Sequence, residues 1–164
     1  MKVASENVPN VMAVEPPRGM YPARVDEKGR LKLPVEFQKY LGGLPEKKLF
    51  ATSTDRRTAT VYPIAIWREN EKTLAAYREN PKVAKRVLFT AAEFGSESEL
   101  DAQGRVQLSP ELRRELRIEN QPVKVLVVNG AVQVMSEEVF HAQRAEAAQS
   151  PDDDLEVLQR AGFL

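Results

Sequence analysis

Two aspartate–arginine pairs, Asp26 with Arg30 and Asp101 with Arg105, have the clearest potential for chemistry in this sequence. A carboxylate at the start of a turn can accept backbone N–H groups, and an arginine at the end of that turn presents a planar, permanently charged donor. The guanidinium can pair with the carboxylate, and it can also contact a phosphate or a base edge. Each pair therefore predicts a structured turn, and nucleic acid is the ligand class that its arginine suits.

The two pairs lie in a segment that occurs twice. Val25-D-E-K-G-R-L-K-L-Pro34 returns 75 positions later as Leu100-D-A-Q-G-R-V-Q-L-Ser109, and each copy runs into a short helical pattern. A repeat of this length and order indicates a duplicated structural unit. Because a unit of roughly 50 residues buries too little surface to be stable alone, we expect the two copies to share one core.

Alternation of apolar and polar residues on both sides of each turn predicts two strands joined as a hairpin. We expect the glycines to supply a positive φ and the aspartates to hold the backbone N–H groups of the turn. The residues predicted to structure the turns are Asp26, Gly29, Asp101 and Gly104.

The outward face of the first hairpin is basic, whereas the matching face of the second copy also carries Glu97 and Glu99. A two-stranded ribbon can enter a major groove, so contact with a polyanion is expected mainly on the first copy. The alternative is that these charges only keep a sheet face solvated. The residues predicted to bind DNA are Arg18, Arg24, Lys28, Arg30, Lys32 and Arg105.

Composition argues against most catalytic classes. Cysteine is absent and His141 is the single histidine, which excludes disulfides, thiol catalysis and a multi-histidine metal site. A glycine-rich phosphate loop and a nucleophile elbow are also missing. We therefore expect no enzyme activity, no cofactor, no metal and no small-molecule substrate. Since no apolar run approaches the length of a membrane span, we expect a cytoplasmic protein.

Five segments follow from the patterning: a flexible arm at 1–17, repeat 1 at 18–67, a helical connector at 68–94, repeat 2 at 95–140 and an acidic helical tail at 141–164. Asn80-Pro81 should divide the connector into two helices. Arg113 and Arg114 are expected as exposed charge. The aromatic residues expected in the core or between the units are Phe37, Tyr62, Trp67 and Phe140.

Four motifs in a fixed order resemble the MraZ family of bacterial regulators, which contain two SpoVT/AbrB-type domains in one chain. The motifs are Arg18-Gly19, Asp26-x-Lys28-Gly29-Arg30-L-x-L-Pro34, Val61-Y-P-x-x-x-Trp67 and Asp101-x-Gln103-Gly104-Arg105. The resemblance implies an α+β fold of two swapped-hairpin β-units, related by an internal pseudo-twofold and flanked by helices. It also implies binding to direct repeats of double-stranded DNA in the promoter of the division and cell-wall gene cluster, by a ring-shaped homo-oligomer.

The sequence thus predicts a sequence-specific transcriptional regulator, a repressor, that is associated with the nucleoid. Two alternatives remain open. The first is an AbrB-type antitoxin whose tail binds a toxin protein, although such antitoxins usually carry one copy of the unit. The second is an oligomeric scaffold that does not bind DNA, which the zero net charge favours. The long N-terminal arm departs from the family pattern.

Overall fold

A computed structural model describes residues 14–164, and over this range the fold is α+β with six helices. The eight strands are β1 (Tyr21–Val25), β2 (Arg30–Lys32), β3 (Leu49–Thr52), β4 (Ala59–Pro63), β5 (Ser96–Ser98), β6 (Arg105–Gln107), β7 (Pro122–Val128) and β8 (Ala131–Ser136). The helices are α1 (Val35–Gly42), α2 (Ile64–Ala76), α3 (Pro81–Phe94), α4 (Pro110–Leu116), α5 (Glu137–Ala147) and α6 (Pro151–Arg160).

All eight strands belong to one sheet, in the order β5-β3-β4-β8-β7-β1-β2-β6, and each neighbouring pair is antiparallel. The two end strands, β5 and β6, approach each other as well, so the sheet is nearly closed. The predicted α+β class is confirmed.

The strands of the two sequence copies are interleaved. Strands β1, β2, β3 and β4 of the first copy pair with β7, β6, β5 and β8 of the second. At the centre of the β2–β6 pair, Leu31 lies opposite Val106, and both side chains are fully buried. The expectation that the copies share one core follows from this exchange of partners, because every strand needs the other copy to complete its hydrogen bonds.

Local sequence signals explain the helix boundaries and the last hairpin. The connector divides into α2 and α3 before Pro81, as predicted. Ser109 caps α4 by accepting a hydrogen bond from the Leu112 N–H at 3.1 Å. Asn129 and Gly130 both have positive φ, 52° and 83°, which suits the two-residue turn between β7 and β8.

Three of the four predicted core aromatics belong to two hydrophobic clusters. Phe37 of α1 lies fully buried in the main core, and Trp67 of α2 packs with Phe50 and Tyr62 in a smaller cluster. Phe140 is only partly buried and lies near the Lys124 ammonium group. The aromatic residues therefore attach α1 and α2 to different strands, with Phe37 against Tyr21 of β1 and Trp67 against β3 and β4.

The two ends of the chain differ in how they meet the body. Val14 packs against the main core, so contacts with the core include a residue four positions before Arg18. The remainder of the predicted arm, 1–13, lies outside the described residues. At the other end, every residue of 141–164 is exposed, although residues 137–140 of α5 still lie against the sheet.

Candidate nucleic-acid interface

The two aspartate turns have the same hydrogen-bond geometry. The Asp26 Oδ1 atom accepts from the backbone N–H groups of Lys28 and Arg30, each at 2.9 Å, and its Oδ2 atom accepts from the Arg30 Nε at 2.8 Å. Asp101 accepts from the two equivalent N–H groups at 2.9 Å and from the Arg105 Nε at 2.7 Å. Each carboxylate therefore fixes both the turn and the orientation of its arginine.

These donors stabilise the charged form of both carboxylates. The backbone N–H of Arg105, followed by its side chain, lowers the pKa of Asp101 to about 2. The backbone N–H of Arg30 is the main cause that lowers the pKa of Asp26, against a smaller opposing effect of desolvation. Both aspartates are therefore ionised at neutral pH, and each anchors a cationic partner.

The turn glycines are required for two reasons: their backbone conformation, and the lack of room for a side chain. Gly29 and Gly104 have φ values of 84° and 76°, in the region that residues with a Cβ rarely adopt. A Cβ on Gly29 would also overlap the Arg113 guanidinium, and one on Gly104 would overlap the Gln38 side-chain amide. Each turn is therefore packed beneath a polar side chain from the helix of the other copy.

Arg113 was expected as exposed charge, and that expectation is wrong, because only 12% of its side chain is exposed. Its Nη1 donates to the Leu108 carbonyl oxygen at 2.7 Å, and Gln38 donates to the Leu33 carbonyl oxygen at the same distance. In each copy, therefore, a polar helix residue donates back to the carbonyl oxygen five residues earlier, at the strand end, and stabilises it. The shared offset of 75 residues was the available signal, because Gln38 and Arg113 are equivalent in the two copies.

Each turn is also bonded to the strand end of the other copy. The Leu33 N–H donates to the Gly104 carbonyl oxygen at 3.1 Å, and the Leu108 N–H donates to the Gly29 carbonyl oxygen at 2.9 Å. The Lys32 ammonium group donates to the carbonyl oxygen of Gln103. Because β2 and β6 are antiparallel, these reciprocal contacts hold one turn at each end of the β2–β6 pair.

Basic residues of both copies consequently form one surface, which we call the cationic hairpin face. In the sheet register, Lys32 lies between Arg24 and Arg105, its cross-strand partners on either side. Arg30 lies opposite Gln107 and is therefore a diagonal neighbour of Arg105, a position that side chains as long as arginine can bridge. The face comprises Arg24, Lys28, Arg30, Lys32 and Arg105.

The members of this face differ in how many hydrogen bonds their side chains make within the protein. Arg24 donates to the backbone and side-chain oxygens of Asn120 at 2.9 and 3.2 Å, and Lys32 supports the opposite turn. Within residues 14–164, the side chains of Arg30 and Arg105 donate hydrogen bonds through Nε alone. Both Nη groups of each arginine can therefore bind a ligand. Lys28 is exposed at the tip of the first turn.

Arg18 does not join the cationic hairpin face. It precedes β1, at the end of that strand farther from the turn, and its side chain is 85% exposed beside Glu15 at 2.9 Å. The separation follows from the direction of β1, since five residues lie between Arg18 and Arg24 and the last three of them belong to the extended strand. Of the six residues predicted to bind DNA, the structure brings five together.

Metal and membrane chemistry find no support in the described part of the chain. Residues 14–164 contain no cluster of three or more potential metal ligands. None of the helices in that range has the length and apolar character needed to cross a bilayer. The arrangement that the structure does provide is a pair of oriented, partly exposed guanidinium groups, those of Arg30 and Arg105.

Comparison with known proteins identifies the family of this chain. It is 34% identical over 146 residues to the transcriptional regulator MraZ of Acidobacterium capsulatum, covering 89% of this chain and 99% of that protein. It is 31% identical to MraZ of Koribacter versatilis, over 73% of this chain and 86% of that protein, and 35% identical to MraZ of Mycolicibacterium gilvum, over 76% and 81%. No protein-family model matches the chain. Because each of these relatives is at least 31% identical and aligns with at least 73% of the chain, the chain belongs to the MraZ family.

Proposed function

We propose that this chain is a DNA-binding transcriptional regulator that contacts its operator through the cationic hairpin face. The observation that carries the proposal is the pair of aspartate-anchored arginines, Arg30 and Arg105, which lie diagonally on one face with their Nη groups unused within residues 14–164. The relatives' names, transcriptional regulator MraZ, support the same function.

The geometry suits recognition of base edges as well as phosphates. With Nε held by a carboxylate, the guanidinium plane is oriented before binding, so less side-chain entropy is lost on contact. The outer Nη edge then offers two parallel donors, which match the O6 and N7 acceptors of guanine or two phosphate oxygens. Because Asp26 and Asp101 offset part of the positive charge, affinity should depend on this orientation as much as on net charge.

Finer aspects of the proposal rest on the sequence resemblance. We propose a repressor that acts on direct repeats in the promoter of the division and cell-wall gene cluster, as a ring-shaped oligomer whose repeated weak contacts add along the DNA. We also propose that the two copies are swapped-hairpin units related by an internal pseudo-twofold. The reciprocal bonds between Leu33 and Gly104 and between Leu108 and Gly29 support that relationship.

The direct test is binding of the wild type and an Arg30→Ala variant to DNA from the region upstream of the protein's own gene. Loss of one oriented guanidinium should weaken binding by about tenfold or more per site, and repeated sites should make the loss nearly complete. Arg105→Ala should behave in the same way. Fluorescence anisotropy at several salt concentrations measures both the affinity and the number of released counterions.

Arg144→Ala is the matched control, because Arg144 is an exposed arginine on α5, outside the cationic hairpin face. It should leave affinity unchanged. Circular dichroism and light scattering must show that Arg30→Ala keeps the wild-type fold and assembly. Equal affinity of Arg30→Ala and the wild type would remove the cationic hairpin face as the DNA-binding surface.

A further inference from the structure

Helix α6 presents an apolar stripe that the described part of the chain does not cover. Leu155 and Leu158 lie one turn apart and are 43% and 51% exposed, and Phe163 just beyond the helix is 55% exposed. Single exposed apolar residues are normal on a protein surface, but a grouped set on one helical face marks an interaction site.

The end of α6 is built in a way that extends this stripe. The Phe163 N–H donates to the Leu158 carbonyl oxygen at 3.0 Å, and the Gly162 N–H donates to the Gln159 carbonyl oxygen at 3.1 Å. Together with the positive φ of Gly162, 110°, this pattern is the Schellman motif, which brings the residue after the glycine back towards the last turn. Phe163 is thereby directed towards the side of the helix that carries Leu158.

A matching concave surface lies between α2 and α3. This groove of about 380 Å³ is mainly apolar, with Leu74 contributed by α2 and Leu88 by α3, and it is bordered by Glu71 and Lys85. Leu88 and the neighbouring Phe89 are 48% and 68% exposed. In a single chain, therefore, neither the groove nor the α6 stripe is covered by the other.

The charges that α6 and α3 expose are mostly opposite. The polar side of α6 carries Asp152, Asp153, Asp154 and Glu156, whereas the exposed positions of α3 include Lys82, Lys85 and Arg86. An acidic amphipathic helix is repelled by anionic lipid surfaces, which attract basic segments. The charge pattern therefore favours a protein groove with basic residues on its α3 side over a membrane.

We propose that α6 of one copy of this chain docks its apolar stripe in the α2–α3 groove of a second copy. The contact joins two different surfaces, so it propagates from copy to copy and closes into a ring when the rotation allows. It deepens the oligomer part of the proposed function and rests on that part. It uses none of the residues of the cationic hairpin face, so assembly and DNA contact can be tested separately.

The experiment compares the assembly of Leu158→Asp, which charges the stripe, and Leu88→Asp, which charges the groove. Val157→Asp is the matched control, since Val157 is on the same helix but points about 100° away from Leu158. Size-exclusion chromatography with light scattering should show a large assembly for the wild type and Val157→Asp, and monomers of 18.4 kDa for the other two. Lys85→Glu is a second groove variant that leaves the packing of Leu88 intact and should also weaken assembly.

Mixing the two monomeric variants gives the sharpest test. Leu88→Asp retains an intact stripe and Leu158→Asp retains an intact groove, so the mixture should form 1:1 dimers that grow no further. Absence of such dimers would overturn the proposal. It would also be overturned if only one of the two variants lost assembly, because another segment, such as residues 1–13, or another protein would then cover the remaining surface.

DNA binding separates this proposal from the proposed function. The Leu158→Asp monomer should still bind a single operator site, with a loss of affinity confined to DNA carrying several sites. If the wild type assembles as expected but binds no DNA, the tail-to-groove contact stands and the proposed function fails. If DNA is bound and assembly is unchanged in both aspartate variants, the contact fails alone.

Discussion

Asp26 and Asp101 each connect local structure to a potential ligand contact. One oxygen of each carboxylate holds backbone N–H groups of the turn, and the other orients an arginine. A substitution at either aspartate would therefore loosen the turn and release the guanidinium at the same time. The residue scale thus explains why a short turn can carry both stability and recognition.

The lowered pKa values predict a specific pH dependence of stability. A carboxylate whose pKa is lower in the folded protein stabilises the fold fully above its unfolded value of about 3.9, and this contribution is lost as the pH falls towards about 2, the folded value of Asp101. Asp101→Asn should therefore melt below the wild type at pH 7, and the difference should shrink below about pH 4. Thermal melts monitored by circular dichroism measure this.

Asp153→Asn on α6 is the control for that experiment, because Asp153 is exposed and lies outside the turns. Its melting temperature should follow that of the wild type at each pH. A constant difference between Asp101→Asn and the wild type across the whole range would show that the turn does not depend on the ionised carboxylate.

Helix α4 shows at the element scale how one cap joins two helices. Ser109 accepts from the Leu112 N–H, and its hydroxyl also donates to the Phe94 carbonyl oxygen at 2.8 Å. The first contact begins α4, and the second ties that start to the end of α3. In the first copy, the equivalent Pro34 makes no side-chain cap, so this link belongs to the second copy.

Ser109→Ala should lower the free energy of unfolding by about 1–2 kcal/mol, since it removes an N-cap and leaves the Phe94 carbonyl oxygen without this donor. Urea denaturation followed by Trp67 fluorescence provides the measurement. Ser150→Ala is the matched control at the start of α6, where no side-chain cap forms, and it should unfold at the wild-type midpoint. A normal midpoint for Ser109→Ala would mean that solvent replaces both bonds.

At the scale of the whole molecule, the exchange of strand partners makes the two copies one folding unit. All four strands of the first copy pair with a strand of the second. The main core likewise contains Leu31 and Leu33 from one copy beside Val106 and Leu108 from the other. Neither copy can lose its structure without exposing the apolar surface of both.

We therefore expect native-state hydrogen exchange to show one opening step for the strands of both copies. Leu31→Ala removes a fully buried side chain and should cost about 2–5 kcal/mol, with equal loss of protection in β2, β6 and β8. Ala142→Gly, on the exposed part of α5, should not change strand protection. If the four strands of the second copy, β5 to β8, opened separately at a lower denaturant concentration, the two copies would be independent.

Much of the fold could be predicted from local patterns, because turn chemistry and periodicity act over few residues. Asp26 and Gly29 specify their turn by side-chain hydrogen bonds and a positive φ. Pro81 keeps Asn80 out of the helical conformation and is itself the first residue of α3. The repeat also showed that two small units must share a core. These features depend on neighbours along the chain, which the sequence displays directly.

Only the tertiary structure decided which residues of the two copies meet. The register of β2 with β6 places Arg105 beside Lys32 and joins both hairpins into one face, whereas the direction of β1 leaves Arg18 outside it. Arg113 is buried for the same reason, because the turn that it covers comes from the other copy. Such pairings are set by long-range strand exchange and shared burial. Local patterns along the chain do not specify which strands of the two copies pair, or in which register.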